Sequence, residues 1–139
     1  METALIRGLA AALAAAGIGA WSTTVAYAPS VVGIYDGPIG SDTVEGIGIE
    51  TYAVQDAVDS RSIVGVQFTM RSATRSALRD RAEAVFVLFH AAWGPSFGGV
   101  RVAQMLRQSS ADLGMSESGA YLRVDNYYLT VNRPTPNRP

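Results

Sequence analysis

The sequence predicts a single α+β domain with an about four-stranded antiparallel sheet, two helices packed on one face of it, and the element order α-β-β-α-β-β. Three observations predict this fold: helical spacing of leucines near the start, alternation in residues 46–54 and 62–71 on either side of a connecting loop at 55–61, and two long strand-type stretches after residue 98. At 139 residues the chain can build one hydrophobic core but not two ordinary domains. We therefore expect one domain over residues 1–139, with a long irregular loop at 20–44 and an extended C-terminal tail at 133–139.

The first helix is predicted from Glu2 to about Ala16, because leucines recur at i, i+4 and i+8 from Leu5 and Gly17 can end the helix. The same region partly resembles a secretory signal, since Arg7 precedes an apolar run and Ala26-Tyr27-Ala28 resembles a cleavage site. Glu2 and the Ala/Gly-rich character of the run favour an amphipathic helix of the folded domain.

The middle of the chain is predicted to be a loop followed by two strands. Residues 20–44 contain Pro29 and Pro38 and are expected to be irregular, with a short strand piece at Val31–Tyr35. Loops this long are usually functional or contact a partner. Alternation then predicts a strand at Gly46–Val54, and a second at Ser62–Arg71 with one buried and one polar face.

A second helix is predicted to begin at a cap formed by Ser72 or Thr74 and to end at Gly94. Its apolar stripe has the width needed to cover a sheet. The stripe consists of Leu78, Ala82, Val85, Phe86 and Phe89. The rest of the chain is predicted to be a two-stranded ribbon, roughly Gly99–Ser109 and Ala120–Asn132, with Gly114 and Gly119 in its turn.

Composition argues against most catalytic chemistry. The chain has no cysteine and one histidine, His90, so neither thiolate chemistry nor a zinc site is expected. The acidic residues are scattered, and the net charge of −1 lacks the basic stripe of a nucleic-acid binder. We expect no cofactor, no metal and no enzymatic activity.

One motif resembles a hydrolase nucleophile elbow. Gly94-Pro95-Ser96-Phe97-Gly98 fits the G-x-S-x-G pattern, but that mechanism needs a strand before the serine and a helix after it. Here the predicted order is helix, loop, strand. The motif is therefore interpreted as a glycine-rich turn.

Seven residues are candidates for a contact with another subunit or a partner. Arg and aromatic side chains are enriched at interfaces, and only one of the adjacent Tyr127 and Tyr128 can face the core. Asp56 and Asp59 in the predicted loop could form a carboxylate pair, but solvation or a subunit contact is the simpler interpretation. The full set is Asp56, Asp59, Arg61, Arg123, Asp125, Tyr127 and Arg133.

Four stretches together carry a family resemblance. They are SIVGVQFTMRS, the Ala-rich helix with AEAVF, GGVRVAQMLRQSSADLG, and DNYYLTVNRPTPNR. The chain resembles the tail terminator proteins of long-tailed phages of actinobacteria, often labelled minor capsid proteins, over roughly residues 45–138 and the helix–Gly start at 5–19. Residues 20–44 match nothing in that pattern.

The resemblance implies a structural virion protein, assembled in the host cytoplasm, that forms a ring of itself at the head end of the tail tube. The expected ring is hexameric. It would end tube polymerisation, contact the tube protein and the head-side connector, and let DNA pass without sequence-specific binding. A head-completion or stopper protein of the neck, a small ligand-binding module and a secreted protein are the alternatives.

Overall fold

The computed structural model describes residues 1–24 and 26–139, and its centre is one seven-stranded sheet. The strands lie in the order β1-β2-β3-β4-β7-β6-β5, and the sheet is curled into a half-barrel. The strands are β1 (Ala20–Trp21), β2 (Gly33–Asp36), β3 (Gly46–Asp56), β4 (Arg61–Ser72), β5 (Ser96–Phe97), β6 (Val100–Met115) and β7 (Tyr121–Asn132). The helices are α1 (Glu2–Ala15) and α2 (Arg75–Phe89).

The predicted fold class is wrong in three respects: the number of strands, their purely antiparallel pairing and the element order. β1 pairs with β2 and β2 with β3 in parallel, which makes the sheet mixed. Both extra strands lie in the segment predicted to be an irregular loop, and β5 adds a third short strand beside β6. Elements of two to four residues leave no periodicity to detect, although the expected strand piece at Val31–Tyr35 overlaps β2. Val25, also within that loop prediction, lies outside the described residues.

Helix α1 is confirmed and belongs to the core. Leu5, Leu9 and Leu13 are fully buried, so the i, i+4, i+8 spacing marks the face that packs on the protein. After α1, Gly17 has a positive φ of 75°, as expected for a glycine that ends a helix. Among the described residues, neither helix is long and apolar enough to cross a membrane.

Strands β3 and β4 form a hairpin that supplies the middle of the sheet. Their antiparallel register runs from Gly46 opposite Arg71 to Asp56 opposite Ser62. On β4, Val64, Val66 and Phe68 are buried, while Gln67, Thr69 and Arg71 are partly exposed, as the alternation predicts; Gly65 is buried because the Tyr52 ring covers it. The hairpin turn occupies residues 57–60 and is shorter than the connecting loop predicted at residues 55–61, because β3 and β4 both extend into that loop.

Helix α2 begins as predicted and ends earlier. The Thr74 hydroxyl accepts the Ala77 N–H at 3.2 Å, which satisfies one of the amides left unpaired at a helix start. The helix ends at Phe89 rather than at Gly94, and residues 90–95 instead run along β6. Phe89 stacks on Phe68, and Tyr127 meets the same Phe68 edge-on, with ring centroids 5.6 and 5.5 Å apart.

The β6–β7 ribbon is longer than predicted. Its β6 strand continues to Met115, so Gly114 lies in the strand and the turn occupies residues 116–119. Register shifts against β7 leave one extra β6 residue at each of three places: Ala103, Gln108 and Leu113. Such bulges increase local twist and curl a sheet, which agrees with the half-barrel shape.

The C-terminal tail is not extended over its whole length. Thr135 and Arg138 exchange backbone hydrogen bonds and close a tight turn. The Arg138 guanidinium then donates to the Ser62 hydroxyl at 2.9 Å and lies 3.6 Å from the Asp56 carboxylate. One arginine therefore fastens the tail to the base of the β3–β4 hairpin.

Candidate functional site: the open edges of the sheet

The predicted interface residues fall into two separate groups. Asp56, Asp59, Arg61 and Arg133 meet at the end of the sheet that carries the β3–β4 turn. Arg123, Asp125 and Tyr127 lie on β7, further toward the other end.

The four residues at the β3–β4 turn, which we call the turn group, place charged side chains around an exposed apolar residue. The Arg61 guanidinium contacts the Asp59 carboxylate at 2.9 Å, and both side chains are largely exposed. Hydrogen bonds from the side chain and the backbone N–H of Arg61 lower the pKa of Asp59. Val58, directly before Asp59 in the same turn, is 97% exposed. The Arg133 N–H donates to the Ser60 carbonyl, so the tail begins directly on this turn.

Asp56 joins the turn group to the C-terminal tail. Its carboxylate accepts the Ser62 hydroxyl at 2.7 Å. That hydrogen bond, with the positive charges of Arg138 and Arg133, lowers the pKa of Asp56 despite some desolvation. Asp56 therefore stays ionised and can pair with Arg138.

The β7 group is internal, and this corrects part of the interface prediction. Asp125 and Tyr127 are fully buried, so neither offers surface to another molecule. Asp125 accepts from Arg123 Nε at 2.9 Å and from the Ser110 hydroxyl at 2.6 Å. Arg107 lies 3.7 Å from it and also covers the Phe86 ring. This cluster holds the β6–β7 ribbon under α2, and only the partly exposed Arg123 remains a candidate for contact.

The sheet has one open edge on β3. β2 pairs with β3 only from Gly46 to Ile49. Residues 50–56, which we call the β3 edge, have no strand beside them within residues 1–24 and 26–139 on the side away from β4. Tyr52 and Val54 on this edge are each 37% exposed.

A second open edge lies on β6, at the opposite side of the sheet. β5 and residues 91–95 cover β6 as far as Met105, and the Arg107 N–H donates to His90 Nδ1 at 3.1 Å. Beyond that point, residues 108–115 have only β7 as a neighbouring strand in the described part of the chain; we call them the β6 edge. Leu113 and Met115 on it are 57% and 59% exposed.

The open edges were missed by sequence reasoning about individual residues. They depend on how far β2 and β5 extend along their neighbours, and nothing in the residues of β3 or β6 encodes that length. The apolar residues Tyr52, Val54, Leu113 and Met115 on these edges are exposed in the single subunit, whereas exposed edge strands normally avoid such side chains.

The described residues offer little for small-molecule chemistry. A cleft of about 640 Å³ lies beside β1 and β2 and is lined by residues that include Arg7, Trp21, Tyr27, Tyr35 and Asp36. Within residues 1–24 and 26–139, no group of three or more His, Cys, Asp or Glu side chains could hold a metal ion.

Comparison with known proteins agrees with this architecture. The model of the family described as "Bacteriophage tail terminator protein" matches residues 12–133, which is most of the chain. Among solved structures, a chain from "Virion of native gene transfer agent (GTA) particle" has the same fold, with a TM-score of 0.56 and 11% identity. The match covers 71% of this chain and 78% of that one. No curated protein matches the sequence.

The family match confirms the resemblance to tail terminators, whereas the assignment to phages of actinobacteria stays a prediction. The family is one of structural proteins of the phage particle. The chain belongs to the bacteriophage tail terminator family.

Proposed function

We propose that this tail terminator forms a closed six-fold ring at the head-proximal end of the tail tube. There it ends tube polymerisation and joins the tail to the head-side connector. One observation carries the proposal: the sheet has two different open edges, the β3 edge and the β6 edge, on its opposite sides.

Two different edges on opposite sides favour a ring over a two-fold dimer. A contact between the β3 edge of one subunit and the β6 edge of the next is heterologous, and heterologous contacts close into rings or continue as filaments. A closed ring leaves no unpaired edge within its plane. Such a ring cannot grow sideways, which suits a protein that stops polymerisation.

The ring also leaves room for DNA. Six copies that each contribute β3, β4, β7 and β6 give a barrel of about 24 strands, and barrels of about 16–18 strands already enclose a water-filled channel. The sheet face opposite the buried Val66 and Phe68 carries the polar Gln67 and Asn126 and the exposed, acidic Glu50, which lies opposite Gln67. Arg71 on this face donates to the carbonyls of Gly40 and Thr43. DNA could slide past such a face without strong phosphate contacts.

A polymerisation assay with the phage's own tail tube protein tests this function. Purified terminator is added to polymerising tube protein, and tube lengths are scored by electron microscopy. We expect shorter tubes, each with a ring on one end. A protein that leaves tube length unchanged and binds only to isolated heads would instead be a stopper of the neck.

A further inference from the structure

We propose that neighbouring copies pair the β3 edge of one subunit with the β6 edge of the next, in an antiparallel ladder that sets Ala53 opposite Ser110. The inference rests on the proposed ring and names the surface that builds it. Three properties of the two edges support this pairing: their direction, their heights in the sheet and their side chains.

The two edges have the right direction for antiparallel pairing. β3, β4, β7 and β6 are each antiparallel to the next, so β3 and β6 run in opposite directions. A second copy placed beside β6 in the same orientation therefore continues the alternation with its own β3. Regular backbone hydrogen bonds can form over residues 51–53 and 110–112, which lie outside the bulges at Val54 on β3 and at Gln108 and Leu113 on β6.

The open parts of the two edges lie at different heights. Ala53, in the middle of the β3 edge, is level with Leu129 through its partner Val64. Ser110, in the β6 edge, is level with Asp125. The two heights differ by four residues along β7, or about 13 Å at the usual strand rise.

This offset has the size that a closed barrel requires. From β3 of one subunit to β3 of the next there are four strand spacings, or about 19 Å. An offset of about 13 Å over that width tilts the strands by about 35° from the ring axis, within the range of about 35–45° found in closed barrels. An unstaggered contact is blocked, because residues 91–95 cover β6 at the level of Ala53.

The side chains are compatible with this register. The pairs Tyr52–Ala111 and Thr51–Asp112 follow from Ala53–Ser110 and place no two like charges directly opposite. Bulges at Gln108 and Leu113 confine the regular part of the β6 edge to residues 109–112. A short ladder between two bulges favours one register over slipped alternatives. Pairing would also cover Tyr52, Val54 and Leu113, which are exposed in the single subunit.

Disulfide crosslinking in assembled particles tests the register, since the chain has no cysteine of its own. The test pair is Ala53→Cys with Ser110→Cys, and oxidised particles are run on non-reducing gels. Opposite residues of a ladder fall within the 4.4–6.8 Å between Cα atoms that a disulfide needs. We expect a ladder of bands that reaches the full ring and also counts its copies.

The matched control is Gln55→Cys with Gln104→Cys. These two residues are level through Ile63 and Thr130, so they would crosslink only if the subunits were unstaggered. Ser110 donates to Asp125, so a second pair, Thr51→Cys with Asp112→Cys, covers the case that Ser110→Cys fails to fold. Crosslinking of the control pair and not of the test pairs would overturn the register. Rings without any crosslink in the two test pairs would overturn this interface, while normal tail lengths in the variants would leave the terminator function standing.

Discussion

Gly8 of α1 and Gly98 before β6 meet backbone to backbone. A β-carbon built on Gly8 would lie 2.1 Å from the Gly98 nitrogen, and one on Gly98 would lie 1.8 Å from the Ala4 carbonyl oxygen. Real β-carbons do not approach other atoms so closely. α1 is therefore seated on the β5–β6 turn through glycines, as an integral part of the domain.

This crossing predicts that Gly98→Ala destabilises the protein by about 3 kcal/mol or more, because the new methyl meets backbone that cannot move aside. Gly99→Ala is the matched control. Gly99 also has a positive φ, 79°, but its β-carbon would point into open space, so only the backbone strain of about 1 kcal/mol is expected. Urea unfolding followed by circular dichroism measures both, and equal losses would contradict the close crossing.

Glu45 is predicted to fasten the segment before β3 to the start of α2. Its carboxylate lies 2.8 Å from Arg81 and accepts from the Ser72 hydroxyl and the Ala73 N–H. Arg81 is buried, so Glu45→Gln leaves its charge poorly compensated and should cost about 2–3 kcal/mol of unfolding free energy. Glu117→Gln, in the exposed β6–β7 turn, should stay within about 0.5 kcal/mol of the parent. A similar small loss in both variants would show that the Glu45 pair contributes nothing.

The same contact predicts a pH dependence. Burial alone would raise the pKa of Glu45, but hydrogen bonds from Arg81, Ala73 and Ser72 outweigh it and lower the pKa below 4.5. A carboxyl whose pKa is lower in the folded state stabilises the fold above its unfolded pKa and loses that effect as pH falls through the folded value.

The stability gap between the parent and Glu45→Gln should therefore be full at about pH 6 and shrink below about pH 4.5. Urea midpoints measured across this range give the gap directly. A gap that stays constant down to acid denaturation would argue against an ionised Glu45 in the fold.

We expect the ring of Tyr127, and not its hydroxyl, to stabilise the folded protein. Burial first, and then the nearby Asp125 charge, raise the pKa of the hydroxyl far above its usual value. Within the described residues this hydroxyl has no hydrogen-bond partner. Tyr127→Phe should change the unfolding free energy by less than about 0.5 kcal/mol, whereas Tyr127→Ala should cost about 3–5 kcal/mol through loss of its packing on Phe68. A loss above about 1 kcal/mol in Tyr127→Phe would mean that the hydroxyl is hydrogen-bonded.

The long periodic elements could be predicted from the sequence because their burial repeats many times. α1, β3, β4, α2 and β7 lie within a few residues of their predicted bounds. The end of α2 was misplaced because the chain leaves the helix at His90 to pair with β6, a tertiary contact that Gly94 does not reveal. β1 and β5 were missed because two residues carry no usable period, whereas the strand piece predicted at Val31–Tyr35 overlaps β2.

The candidate interface was predicted less well, and Asp125 shows why. A charged residue on a strand suggests a solvated or contact surface, yet Arg123, Arg107 and Ser110 allow the Asp125 carboxylate to be buried. Two of those three partners come from β6 and reach Asp125 only through the bulged register. The contact between Asp59 and Arg61 was easier to predict, because the two residues are only two positions apart at the β3–β4 turn.

The central claim, that this protein terminates the tail, is tested most directly by electron microscopy of particles produced without its gene. The measurement is tail length together with attachment of tails to heads. We expect overlong tails that are detached from heads, and tails of normal length when the parent chain is supplied from a plasmid. Detached tails of normal length would contradict the account and assign the protein to completion of the head, and normal particles would contradict any role in the junction.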